Sequence, residues 1–289
     1  MKKIIMSAAT LLCFAASVMA QQPGGITDEM LRQIQKQNAP TPASRALRNA
    51  IAANPILSLA KNQATAGDID TYFSIETKKQ SITDQKSSGR CWMFSGLNVL
   101  RSNFAKRTDT LSVEFSQDYL FFYDQLEKAN LFLQSVVDNA KKPIDDLRVQ
   151  FFFQHPLGDG GTFCGVADLA EKYGLVPKSV QPETYSAENT SRMSAILSSK
   201  LREQGLQLRR MVAEGKKPAD ISKAKTEMLS TIYRMLVLTL GEPVQQFTFA
   251  FKDKNGKQLT EAKQYTPRTF YDEVVGQPLN GSFIMVMND

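Results

Sequence analysis

The segment Gln85-Lys86-Ser87-Ser88-Gly89-Arg90-Cys91-Trp92 carries residue types at a spacing that could do chemistry. Gln85 stands six residues ahead of Cys91, and the Ser/Gly turn between them can bring its amide back beside the thiol. That pairing supplies a nucleophile and an oxyanion donor, as acyl transfer requires. The backbone N–H of Cys91 would be the second donor. Met93, Leu97, Leu100 and Phe104 then recur at helical spacing, which predicts a buried helix with Cys91 in its first turn. There the positive end of the helix dipole faces the sulfur. A free cysteine that merely packs is the bland alternative. The coincidence of Gln85, the glycine turn, Trp92 and the helical pattern argues against it.

A thiol of this kind needs a histidine to take its proton and an Asn or Asp to orient the ring. The chain holds one histidine, His155, in Gln154-His155-Pro156-Leu157. It sits just before a glycine-rich loop and reads as a surface or cleft-rim residue. Just beyond it, Gly158-Asp159-Gly160-Gly161 is a place where backbone can approach a ligand. Cys164 reads as a small core residue. No metal-ligand spacing or nucleotide fingerprint stands out, so neither a metal nor a cofactor is expected.

These residues need elements to hold them. Phe73 to Thr83 suits an extended lead into the thiol turn, and Ser116 can cap a long helix whose apolar face is Leu120, Tyr123, Leu126, Leu131, Leu133 and Val136. Val166, Leu169 and Tyr173 predict a short helix ending at Gly174 and Pro177. From Thr190 to about Leu240 two charged amphipathic helices, broken at Gly215 to Pro218, form a hairpin-like unit whose charges read as a solvated face. Past Pro243 the period changes. Phe247, Phe249 and Phe251 alternate, Asn255-Gly256 makes a hairpin turn, Thr266-Pro267 opens a helix, and Phe283 to Met287 reads as a strand.

Residues 1–20 read as a secretory signal, with Lys2-Lys3, an apolar run from Ile4 to Ala16, and small residues before Gln21. The run is too short for a membrane span. Export makes the expected location periplasmic or secreted. Removing the signal takes Cys13 with it and leaves Cys91 and Cys164, which is no disulfide framework. The net charge of +6 falls to about +4, a mild basic balance. Basic residues near 200–225 alternate with Glu203, Glu214 and Asp220, so no nucleic-acid role is expected.

Gln85 to Trp92 resembles the nucleophile segment of papain-like cysteine peptidases, and Gly-Arg-Cys-Trp is similar to that of the bleomycin hydrolase or aminopeptidase C branch. Phe115 to Tyr123, Asp159-Gly160-Gly161, Glu171 to Lys178 and Thr266 to Tyr271 resemble the same branch in the same order. The resemblance implies an α+β papain-like fold, with a helical insertion at 190–240 and a strand-rich second half that begins near Phe247 and is incomplete here. With the signal at 1–20 and a polar N-terminal arm at 21–72 read from the residues, the peptidase domain is expected at 73–289. The resemblance also implies an aminopeptidase acting on peptides, usually a homohexamer. Cys91 would be the nucleophile and Gln85 the oxyanion glutamine, with Asp159, Gly160, Gly161 and Trp92 binding substrate. The family's His and Asn strands lie beyond residue 289, so a C-terminally truncated form is expected. The alternative is a non-catalytic peptide-binding or assembly remnant.

Overall fold

A computed structural model describes residues 24–281 except 66, 68, 69, 71, 110 and 254. The signal segment, with Cys13, and the strand expected at Phe283 to Met287 lie outside the described residues. The chain divides into two compact units, residues 1–74 and 75–289.

In the first unit, helices α1 (Asp28–Gln37), α2 (Pro42–Ala53) and α3 (Ile56–Leu59) follow one another. Thr27 and Thr41 cap α1 and α2, their side-chain oxygens accepting the N–H of Met30 and Ser44. None of the three helices contains a buried residue.

In the second unit, α4 (Cys91–Thr108) and α5 (Gln117–Asp138) are followed by α6 (Leu147–Gln154) and α7 (Phe163–Tyr173). A single turn, α8 (Tyr185–Glu188), leads into the long pair α9 (Thr190–Ala213) and α10 (Pro218–Leu240). Strands β1 (Phe247–Phe249) and β2 (Lys263–Tyr265) pair antiparallel with Phe247 opposite Tyr265, and α11 (Pro267–Val274) follows. The result is α+β, as expected.

Helix α5 is the axis of the core. Ser116 Oγ accepts the Tyr119 N–H and starts it, and Leu120, Phe121, Phe122 and Leu133 are fully buried along it. Helices α9 and α10 pack on one side of α5, while α7 packs on both α5 and α4. The α4 stripe Met93, Leu97, Leu100 and Phe104 is buried as the spacing predicts. The same core extends to Phe270 of α11, whose ring meets Phe247, Phe249 and Tyr265 at 5.3 to 5.6 Å in edge-on geometry. The Asn255-Gly256 turn forms with Asp253 Oδ1 accepting the N–H groups of Asn255 and Lys257.

Two expectations are corrected. Leu131, assigned to the apolar face of α5, is 65% exposed, because it lies on the side of α5 turned from α9 and α10. The charges of α9 are also more than a solvated face. Arg202 donates to the carbonyls of Phe153 and Gln154, and Arg209 to those of Asn139 and Lys142. Guanidinium groups of the insertion thus cap the chain end of α6 and the turn after α5.

Candidate active site

Cys91 is the first residue of α4 and is exposed. The Arg90 carbonyl accepts the N–H of Met93 and of Phe94, so the amides of Cys91 and Trp92 are the ones at this terminus without a helical acceptor. An exposed thiol beside unfilled N–H groups is an arrangement that can attack a carbonyl and receive the developing oxyanion.

The turn ahead of Cys91 is held by its own polar groups. Lys86 has φ +53, a left-handed conformation that a non-glycine residue adopts at a cost, and Asp84 Oδ1 fixes it by accepting the Lys86 N–H at 2.8 Å. The Gln85 amide donates to Ser88 O at 2.6 Å, and Ser88 Oγ donates back to Gln85 O at 2.6 Å. Gln85 is therefore half-buried in the turn with its amide engaged there.

Asp159 joins this turn to the glycine loop. Its Oδ2 accepts the Gly89 N–H at 2.6 Å and the Thr190 hydroxyl at 2.6 Å, while its backbone oxygen accepts the Trp92 indole N–H at 2.8 Å. Burial alone would raise this carboxyl, but the Thr190 and Gly89 hydrogen bonds and the charge of Lys128 outweigh it and hold it below the usual range. A methyl group on Gly89 would stand 2.4 Å from Asp159 Oδ1, so only glycine lets the carboxylate come this close. Lys128 and Gln125 of α5 hold the loop from its other side. Lys128 Nζ donates to Gly158 O and Gly160 O at 2.9 and 2.7 Å, and Gln125 to Gly158 O at 3.0 Å. Gly160 and Gly161 remain exposed.

Trp92, expected to touch substrate, is instead 9% exposed and lies against the loop. A methyl group on Gly161 would meet its ring at 2.6 Å. The indole supports the loop, and its face is covered by Gly161 and Gly165.

His155 terminates α6, exposed, with its ring 5.2 Å from that of Phe151. It borders a cleft of about 630 Å³ with Leu131, Phe151, Leu157 and Gly160. Cys164 is half-buried and, like Cys91, a free thiol. Sequence reasoning missed Arg90, whose side chain is fully buried in an ion pair with Glu183 at 2.6 Å. Its place immediately before the cysteine was visible, but its partner lies far along the chain.

The model of the Peptidase C1-like family matches residues 25–289, nearly the whole chain. The chain belongs to that family. Aminopeptidase C of Lactobacillus delbrueckii subsp. lactis is 40% identical over 247 residues, covering 86% of this chain and 55% of that protein. Human bleomycin hydrolase is 37% identical over 253 residues, again 86% of this chain and 55% of the relative. Among solved structures, pepw from Lactobacillus rhamnosis HN001 superposes with a TM-score of 0.81 at 37% identity, covering 90% of this chain and 58% of the other. This member of the Peptidase C1-like family therefore spans a little over half the length of these relatives. The fold is papain-like. Among the described residues no helix is long and apolar enough to cross a membrane, and no group of three or more His, Cys, Asp or Glu could hold a metal ion.

Proposed function

We propose that the protein is a cysteine aminopeptidase that hydrolyses peptide bonds at the N-termini of peptides, with Cys91 as nucleophile. The observation that carries this reading is the exposed Cys91 thiol at the start of α4, tied through Gly89 and Asp159 to an exposed glycine loop. A peptide laid along Gly160 and Gly161 would present its carbonyl to Cys91, with the Cys91 amide as one oxyanion donor. Gln85 serves as the other once its amide leaves Ser88 O for the substrate oxygen, a 2.6 Å hydrogen bond exchanged for a charge-assisted one. The relatives' names support aminopeptidase action.

The reaction also needs a base, and His155, which follows α6 and borders the cleft of about 630 Å³, is read as a rim residue. The base and its orienting residue are proposed to come from chain beyond residue 289, in keeping with the share of the relatives that this chain spans. A hexameric assembly and export through residues 1–20 belong to the same proposal. A second reading, favoured by the single histidine of the sequence, is a peptide-binding form without turnover.

The deciding experiment captures the native protein from its source through an antibody to residues 24–60 and measures its intact mass and its release of fluorophore from aminoacyl-coumarin amides. A mass well above that of residues 21–289, with activity abolished by Cys91→Ala, supports the enzyme. A mass equal to it, with peptide binding but no release, establishes the second reading.

A further inference from the structure

We propose that the buried Arg90–Glu183 pair, backed by Asp118, is a positioning device that holds the Gln85–Ser88 turn against the first turn of α4 and so sets where Cys91 stands relative to the Gln85 amide. The inference rests on the cysteine-peptidase reading above.

Arg90 adjoins Cys91 in the chain, yet its side chain is fully buried. The guanidinium lies between the rings of Phe94 and Phe121, 5.1 and 5.0 Å from their centroids. Its Nη2 donates to Glu183 Oε2 at 2.6 Å and its Nε donates to Ser88 Oγ at 3.1 Å. Ser88 Oγ in turn donates to Gln85 O at 2.6 Å. One chain of hydrogen bonds thus runs from Glu183 through Arg90 and Ser88 to Gln85. Glu183 sits in the segment before α8, and that segment is fastened to α5 by its neighbours: Gln181 and Thr184 both donate to Asp118, at 3.1 and 3.0 Å.

Stability alone gives little reason for this construction. Burying two charges costs more desolvation than an apolar pair of the same volume, and such pairs can often be replaced without loss. Here Arg90 Nη1 and Glu183 Oε1 are buried without a hydrogen-bond partner, which adds to the cost. The forked, planar guanidinium does what an apolar side chain cannot: it joins the Glu183 carboxylate and the Ser88 hydroxyl in one fixed geometry. Reacting groups displaced by about 1 Å lose about a hundredfold in rate, so a fixed turn has a direct use here.

The test uses the protein at its full natural length, any chain beyond residue 289 included, and reads two quantities, the denaturant midpoint and the rate of iodoacetamide alkylation at Cys91, followed by peptide mass spectrometry with Cys164 as internal reference. In the Arg90→Met/Glu183→Leu double variant the midpoint is expected to stay near that of the parent. The Cys91 rate is expected to fall at least about tenfold, with Cys164 unchanged. Ser88→Ala leaves the ion pair intact and is expected to slow Cys91 as well, which keeps the test open if the double variant does not fold. A parent Cys91 that reacts faster than free cysteine, together with variants that match it, overturns the positioning role alone. A parent Cys91 no faster than free cysteine overturns the peptidase reading and this inference with it.

Discussion

At Gly161 the space for a side chain is already taken by the Trp92 ring, whereas at Gly160 a methyl group would meet nothing within 4 Å. The two adjacent glycines therefore separate support of the loop from use of it. Gly161→Ala must push the indole aside and strain its hydrogen bond to Asp159, and is expected to cost about 1–3 kcal/mol of stability. Trp92 is the one tryptophan of the chain, so its fluorescence in a denaturant titration reports this change directly. Gly160→Ala is expected to change stability by less than about 1 kcal/mol while raising KM for peptide amides several-fold, because the added methyl stands where substrate backbone is proposed to lie. Equal KM values for Gly160→Ala and the parent would remove the loop from the binding site.

The start of α5 joins a helix cap to a pH-sensitive carboxyl. Ser116→Ala strips the Tyr119 N–H of its acceptor in a buried position and is expected to destabilise by about 1 kcal/mol, read from the shift in denaturant midpoint. Two residues on, burial pushes the Asp118 carboxyl up to about 6 from 3.8, against the pull of Gln181, Thr184 and Arg90 and with the repulsion of Glu183. A carboxyl raised in the folded state is protonated there while the unfolded chain has already released its proton. Folding stability is thus expected to fall as pH rises from about 4 to about 6, by at most about 3 kcal/mol from this group. Denaturant titrations at pH 4, 5, 6 and 7 should show that slope diminished in Asp118→Asn, and an unchanged slope would assign the dependence elsewhere. The Ser116 cap, like the helix start at Thr266-Pro267, was legible because capping is local, and the α4 stripe because its period is. What escaped was long-range or weakly patterned. Helix α6 has no clean apolar period, and nothing local marks Leu131 as turned away from the core. The pairing of Arg90 with Glu183 and of Asp159 with Gly89 joins residues far apart in sequence, where spacing carries no information. For the same reason the neighbours of Trp92 in sequence do not tell which loop covers it.

Taken over the whole chain, stability is unevenly distributed between the two units. In the second, α5 lies among α4, α7, α9 and α10, so opening it exposes much of the apolar core. In the first, α1 has 10 residues, α2 has 12 and α3 has 4, and none buries a residue. Helices shorter than about 12 to 15 residues are marginal in water without packing. Side-chain contacts such as Arg32 to Glu29 add only about 0.2–0.5 kcal/mol each. Local opening of residues 28–59 is therefore expected to cost little, and proteases cut through such openings in proportion to their population. Trypsin under native conditions should cleave after Arg32, Arg45 or Arg48 well before it cleaves after Lys128 or Arg202. Both of the latter are held by hydrogen bonds to backbone carbonyls within the packed unit. Timed digestion with mass spectrometry gives the order of cuts, and a first unit that persists as long as α5 would mean that its apolar side chains, Leu47 and Leu57 among them, are covered in the native protein.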